Sequence, residues 1–180
     1  MESKRLGLLH ELVPQATIIG VLLNPNFPDA ASQLSYIQEA ARAVGLQLHV
    51  LRASTDGEID TAFETVAQNR LPALAVAGDA FFNTRREKLA ALAARHAVPA
   101  SYNFRDYAIA GGLMSYGIDI SDMYRQIGVY VGRILKGAKP ADLPVTQPSK
   151  FEFVINLKTA TAIGLEIPAG LLSFADEVVE

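Results

Sequence analysis

Cysteine and tryptophan are absent from the 180 residues, and histidine occurs only as His10, His49 and His96. Without cysteine there is no disulfide, no thiolate nucleophile and no cysteine metal site. The three histidines fall on a helix pattern, a strand pattern and a helix end, and no two have metal-ligand spacing. No basic run occurs and the formal net charge is −3, so nucleic acid is not an expected partner. No stretch approaches the ~20 apolar residues of a membrane span. Met1-Glu2-Ser3-Lys4-Arg5 leads straight into an amphipathic helix pattern, so no signal peptide is expected in these residues. The G-x-S-x-G elbow, the G-x-G-x-x-G fingerprint and the G-x-x-x-x-G-K phosphate loop are all missing. The chain is therefore not expected to be an enzyme, and no catalytic residue, metal or cofactor is assigned.

What remains suits a compact core: half of the residues are hydrophobic and 19% are charged. Leu6, Leu9 and Val13 recur at helical spacing before Pro14. Residues 17–23 form a continuous β-branched apolar run, the pattern of a strand buried on both faces. A helix to about Val44 follows, with Leu34, Ile37, Ala41 and Val44 on one stripe and Gly45 as its stop. Residues 46–51 alternate as an edge strand would. Thr55-x-x-Glu58 is a capping box, and its helix turns Ile59, Ala62, Phe63 and Val66 inward. Residues 73–77, 98–101 and 113–116 supply three more short apolar runs, with helix patterns to about His96 and through Tyr107 between them. This alternation predicts a parallel, doubly wound α/β sheet with helices on both faces. Ser121 is placed to cap a helix reaching Lys136, stopped by Gly137, whose apolar face is Met123, Ile127, Tyr130, Val131 and Ile134. Residues 139–144 read as an extended connector, residues 151–157 as a late strand, and a short helix through Ala160 ends at Gly164.

Ligands of an open parallel sheet sit outside the carboxyl ends of its strands. The stretch from Gly78 to Glu87 stands at one such end, with Asp79, Phe81 and Phe82 ahead of a helix that Thr84-x-x-Glu87 would cap. The two phenylalanines either plug the core or face something outside it. Asn24, Asn26 and Phe27 end the first strand, Asn83 joins Asp79 after the third, Tyr102 and Asn103 end the fourth, and Tyr116 and Asp119 the fifth. Aromatic walls with a few placed polar groups are the make-up of a small-molecule pocket. Asp79 could take the ammonium group of an amino acid and helix N-termini its carboxylate. The structural alternative for Asp79 is a loop cap.

Several motifs together carry a resemblance that extends over nearly the whole chain. They are 79–87 (Asp79 to Glu87), 111–117 (Gly111 to Gly117), 124–137 (Tyr124 to Gly137), 140–144 (Pro140 to Pro144) and 151–157 (Phe151 to Leu157). In these the sequence resembles the ABC-transporter substrate-binding proteins of the tryptophan/tyrosine-type group, extracytoplasmic receptors of the type I periplasmic-binding fold. The resemblance implies two Rossmann-like lobes closing on a small organic solute, an amino acid, which is handed to a membrane permease. It implies a periplasmic or extracytoplasmic setting for a full-length member. This chain looks like the C-terminal portion. Residues 1–117 and 148–180 then form one ligand-binding lobe, and 118–147 a crossover helix and connector that would pack on the other lobe. Asn24, Asp79, Phe81, Tyr102 and Tyr116 are the implied lining of half a pocket. A ligand-sensing domain coupled to a signalling partner is the alternative of the same fold, and a Rossmann-like enzyme using Asp79 the weaker one. With its usual partner missing, the helix at 121–136 is expected to pair with a second copy, giving a homodimer.

Overall fold

The computed structural model describes residues 2–180. One seven-stranded sheet organises it, in the order β2-β1-β3-β4-β5-β6-β7. These strands are β1 (Ile18–Leu23), β2 (Gln47–Arg52), β3 (Leu74–Val76), β4 (Ala100–Tyr102), β5 (Met114–Ile118), β6 (Phe151–Asn156) and β7 (Glu177–Val179). The first five run parallel. β6 turns antiparallel to β5, with Tyr116 opposite Phe153, and β7 runs parallel to β6. The sheet is thus mixed rather than wholly parallel, and β7 is a strand that the sequence pattern did not announce.

Alternation along the strands divides the core into two layers. Ile19, Val21 and Leu23 of β1 and Ala75 of β3 face one layer, with α1 (Glu2–Leu12), α2 (Ala30–Ala43), α8 (Leu157–Ala162) and α9 (Ala169–Phe174). Leu22, Leu74 and Val76 face the other, with α3 (Asp56–Gln68), α5 (Arg86–Arg95) and α6 (Arg105–Ile109). Phe63, Ile59 and Leu89 are wholly buried there, each worth about 1.5–3 kcal/mol of transfer free energy. Helices on both faces leave the carboxyl ends of the parallel strands as the uncovered edge.

The local signals held unevenly. Thr55 caps α3 in the expected box, accepting from Glu58 N–H while Glu58 reaches back to the Thr55 N–H. Gly45 and Gly137 adopt positive φ at the expected stops. Thr84 does not cap: it lies in αR conformation at the end of the one-turn helix α4 (Ala80–Asn83), and its hydroxyl donates to Phe81 O at 2.8 Å. Asp79 starts the helical run a turn earlier, and α5 begins after Arg85 without a side-chain cap. Likewise Asp119, not Ser121, caps α7 (Ile120–Leu135), its carboxylate accepting from Asp122 N–H at 3.0 Å. The hydrogen bond from Lys150 and that N–H together hold its carboxyl below the ordinary aspartate range. The connector after α7 contains a single 3-10 turn at Pro140–Asp142. No residue of α7 is buried, and Leu135 is 82% exposed.

Candidate functional site

The site is built from the turns that follow β1, β3 and β4. Backbone at Asp79 is extended (φ −153°, ψ 145°), which sets its carboxylate over the start of α4. Oδ1 accepts from the Phe82 N–H at 3.1 Å and from Asn24 Nδ2 at 3.1 Å. Asn24 in turn accepts the Asn26 N–H at 2.9 Å. One oxygen of Asp79 therefore ties the β1 turn to the β3 turn, which are neighbours because those strands pair. The other oxygen, Oδ2, has no hydrogen-bond or ion-pair partner among the described residues, although the residue is only 7% exposed. This oxygen is therefore the Asp79 acceptor left to take a donor from outside the chain.

Asp79 opens into a cleft of ≈ 320 Å³. Phe27 and Phe104 supply its aromatic walls, and Gln33, Asn83 and Asn103 its polar ones. Glu2 and Ile118 stand at the margin. Gln33 reaches from α2 and donates Nε2–H to Gly78 O at 2.7 Å, which locks its amide. Asn83 accepts the Tyr107 hydroxyl at 3.2 Å, and burial pushes that phenol far above its ordinary pKa, so it stays a donor. Asn103 is held by close backbone packing: a Cβ at Gly117 would lie 1.8 Å from Asn103 O, so only glycine lets β5 pass there. Glu2 forms an ion pair with Arg5, whose guanidinium is buried; burial lowers its pKa against the opposing pull of Glu2.

Of the residues that sequence reasoning nominated, Asp79 lies in the cleft and Asn24 holds it from behind. Phe81 is turned away: it packs with Phe82 on the α3/α5 layer, and the Arg85 guanidinium sits 4.0 Å over its ring. Tyr102 belongs to β4 itself, is 0% exposed, and stacks on Tyr107 at 4.4 Å with its hydroxyl donating to Leu89 O at 3.4 Å. The alternation of β4 points it into the core, because the strand runs one residue further than its apolar run suggests. Tyr116 stacks on Phe151 at 6.1 Å on the α1/α2 layer and does not line the cleft. Sequence reasoning missed Glu2, Gln33, Phe104 and Ile118 as lining residues. Gln33 carried a signal, since it sits one turn before Ile37 and two before Ala41 on the inward stripe of α2.

A larger cavity of ≈ 450 Å³ runs between α7 and the connector, walled by Met123, Ile127, Tyr130, Val131 and Ile134 with Leu143, Pro144 and Val145. It contains no charged side chain. Volume alone favours it, but convergent polar groups mark a recognition site, and those are at the carboxyl edge.

Comparison with known proteins bears on the family of the whole chain. Residues 1–179 match the family described as ABC transporter substrate binding protein. A tyrosine-binding protein of Clostridioides difficile (strain R20291) is 23% identical over 164 residues, covering 91% of this chain and 47% of its own length. A conserved domain protein from Vibrio cholerae superposes with a TM-score of 0.87 at 24% identity, over 98% of this chain and 60% of the solved one. An ABC domain from Streptococcus pneumoniae, solved with L-Trp, gives 0.86 at 26% identity over 99% and 62%. The chain thus spans about half the length of the curated relative and about three fifths of these two solved chains. Across nearly all of its residues, the chain belongs to the ABC transporter substrate-binding proteins.

Proposed function

We propose that the chain is the solute-binding component of an ABC transporter, present as one lobe, and that it binds an amino acid at the carboxyl edge of its sheet. The observation that carries this is Asp79: a residue 7% exposed, its carboxylate oriented by Asn24 and the Phe82 N–H, with Oδ2 unbonded among the described residues in a cleft that two phenylalanines line. That combination suits an amphiphile with an ammonium group and an apolar or aromatic body. The tyrosine-binding relative and the tryptophan-bound ABC domain support the same ligand class. Its role is binding rather than catalysis, with a membrane permease as recipient in an extracytoplasmic setting.

In this reading residues 1–117 and 148–180 are the binding lobe, and residues 118–147 are a crossover whose partner surface lies elsewhere. The cleft is then half of a clamp, and affinity for this chain alone is weak. A thermal-shift panel of the amino acids tests the reading. At a free concentration ten times Kd, a ligand of the folded state stabilises it by about 1.4 kcal/mol. For a domain of this size that is a rise of roughly 3–6 °C. No rise with any amino acid, measured on the full two-lobed protein, would refute the ligand class.

The exposed apolar face of α7 completes the proposal. Ile127 and Val131 are each 49% exposed, and a second copy of the chain is the partner that covers them. Light scattering at micromolar concentration gives a dimeric mass, reduced to a monomer by Ile127→Glu; a monomeric mass for the unaltered chain contradicts the pairing.

A further inference from the structure

The charges around the cleft are one-sided. Its lining contains two carboxylates, Asp79 and Glu2, and no lysine, arginine or histidine. The arginines of α1 and of the turn into α5 have partners of their own. Arg5 is buried and paired with Glu2, and its Nη1 is buried without a partner among the described residues, out of reach of the cleft. Arg85 bonds to Asp56 at 3.1 Å and lies over Phe81, and Arg86 donates to Asn83 O at 3.2 Å. The acceptors, in contrast, are in surplus. Asp79 Oδ2 is free on a residue more than nine-tenths buried, and Gln33, with its Nε2 committed to Gly78 O, keeps a buried Oε1 that has no partner among the described residues. Oε1 cannot donate, so only an N–H or O–H can satisfy it.

We infer that this lobe reads the ammonium end of its solute and makes no charged contact with the carboxylate. The inference rests on the solute-binding reading above and divides the recognition within it. Asp79 Oδ2 takes the ammonium as a charge-assisted hydrogen bond, Phe27 and Phe104 flank the apolar body, and the carboxylate end points away from this lobe. A solute that has lost its carboxyl group is then as good a ligand for this chain as the amino acid, whereas one that has lost its amine is not.

Three matched probes test this: L-tryptophan, tryptamine and indole-3-propionate, each titrated into the 15N-labelled chain while amide shifts of residues 24–27, 78–83 and 103–104 are followed. The expected result is that tryptamine binds at least as tightly as tryptophan and indole-3-propionate about 10-fold or more weaker, as loss of a charge-assisted bond implies. Asp79→Asn keeps an oxygen for the Phe82 N–H and Asn24, so the fold survives. It weakens tryptamine about 10-fold and leaves indole-3-propionate unchanged. Indole-3-propionate binding as well as tryptamine, or tryptophan binding without tryptamine, overturns the inference while sparing the site. No shift at these residues with any probe overturns the solute-binding reading itself.

Discussion

Replacing Asp79 with alanine removes one oxygen that two donors share. The Phe82 N–H loses its cap, a change that costs about 1 kcal/mol at a helix start. Asn24, itself 7% exposed, is left with a buried amide N–H that no other group accepts, at about 1–3 kcal/mol. Together these come to about 2–4 kcal/mol, set against the relief of removing a part-buried charge. At a urea slope of about 2 kcal/mol per M, the unfolding midpoint falls by roughly 1–2 M. Asp79→Asn is the control, since its side-chain oxygen can accept from the same two donors, and it stays within about 1 kcal/mol of the unaltered chain. Urea melts followed by far-UV circular dichroism report both. Equal midpoints for the two variants would refute the reasoning, because they would show that Oδ1 does not hold the β1 and β3 turns together.

Further outcomes follow from other positions. Gly117→Ala places a methyl group 1.8 Å from Asn103 O, backbone that cannot swing aside, so it destabilises by about 3 kcal/mol, the upper end of overpacking costs; a melt close to the parent's contradicts that close approach. Thr55→Ala loses a capping box and costs about 1 kcal/mol, whereas Thr84→Ala costs under ~0.5 kcal/mol because Thr84 is no cap; urea midpoints separate them. Asp119 has its carboxyl held low by Lys150 and the Asp122 N–H. A lowered folded pKa contributes stability that is present above the ordinary aspartate value near pH 4 and is lost as pH falls through the folded value. The stability gap between the parent and Asp119→Asn is therefore flat from pH 5 to 7 and narrows below pH 4, as acid-limb melts would show.

The sheet was legible because β1 and β3 are apolar on both faces and the helices between them carry inward stripes, as at Ile59, Phe63 and Val66. β7 was not, since Glu177-Val178-Val179 is short and half-exposed and is held largely by pairing with β6. Two caps were misplaced for one reason: Thr84 fits a capping box and Ser121 is a cap-forming residue, but Asp79 and Asp119 stand a few residues earlier and accept the first free N–H groups. Two other helix ends had no glycine to mark them, as Arg70 and Ala97 adopt positive φ themselves.

At the site, position along the strands was readable and side-chain direction was not. Asp79 stands at the strand end expected of it because it follows β3 directly. Tyr102 and Phe81 were assigned to the cleft by proximity, yet alternation in β4 and the single turn of α4 carry both rings into the α3/α5 layer. Phe27 and Phe104 take up the wall that those rings were expected to form. Gln33 escaped notice because a helix residue 45 positions before Gly78 meets it only through the fold.

The measurement that bears most directly on the central claim is the location of bound ligand. An amide-shift map of the 15N-labelled chain with saturating L-tryptophan compares two of its cavities, the cleft at Asp79 and the groove along α7. The account predicts shifts centred on residues 24–27, 78–83 and 103–104. Shifts confined to residues 123–134 and 143–148 would contradict it, because the solute would then recognise apolar volume rather than the oriented carboxylate.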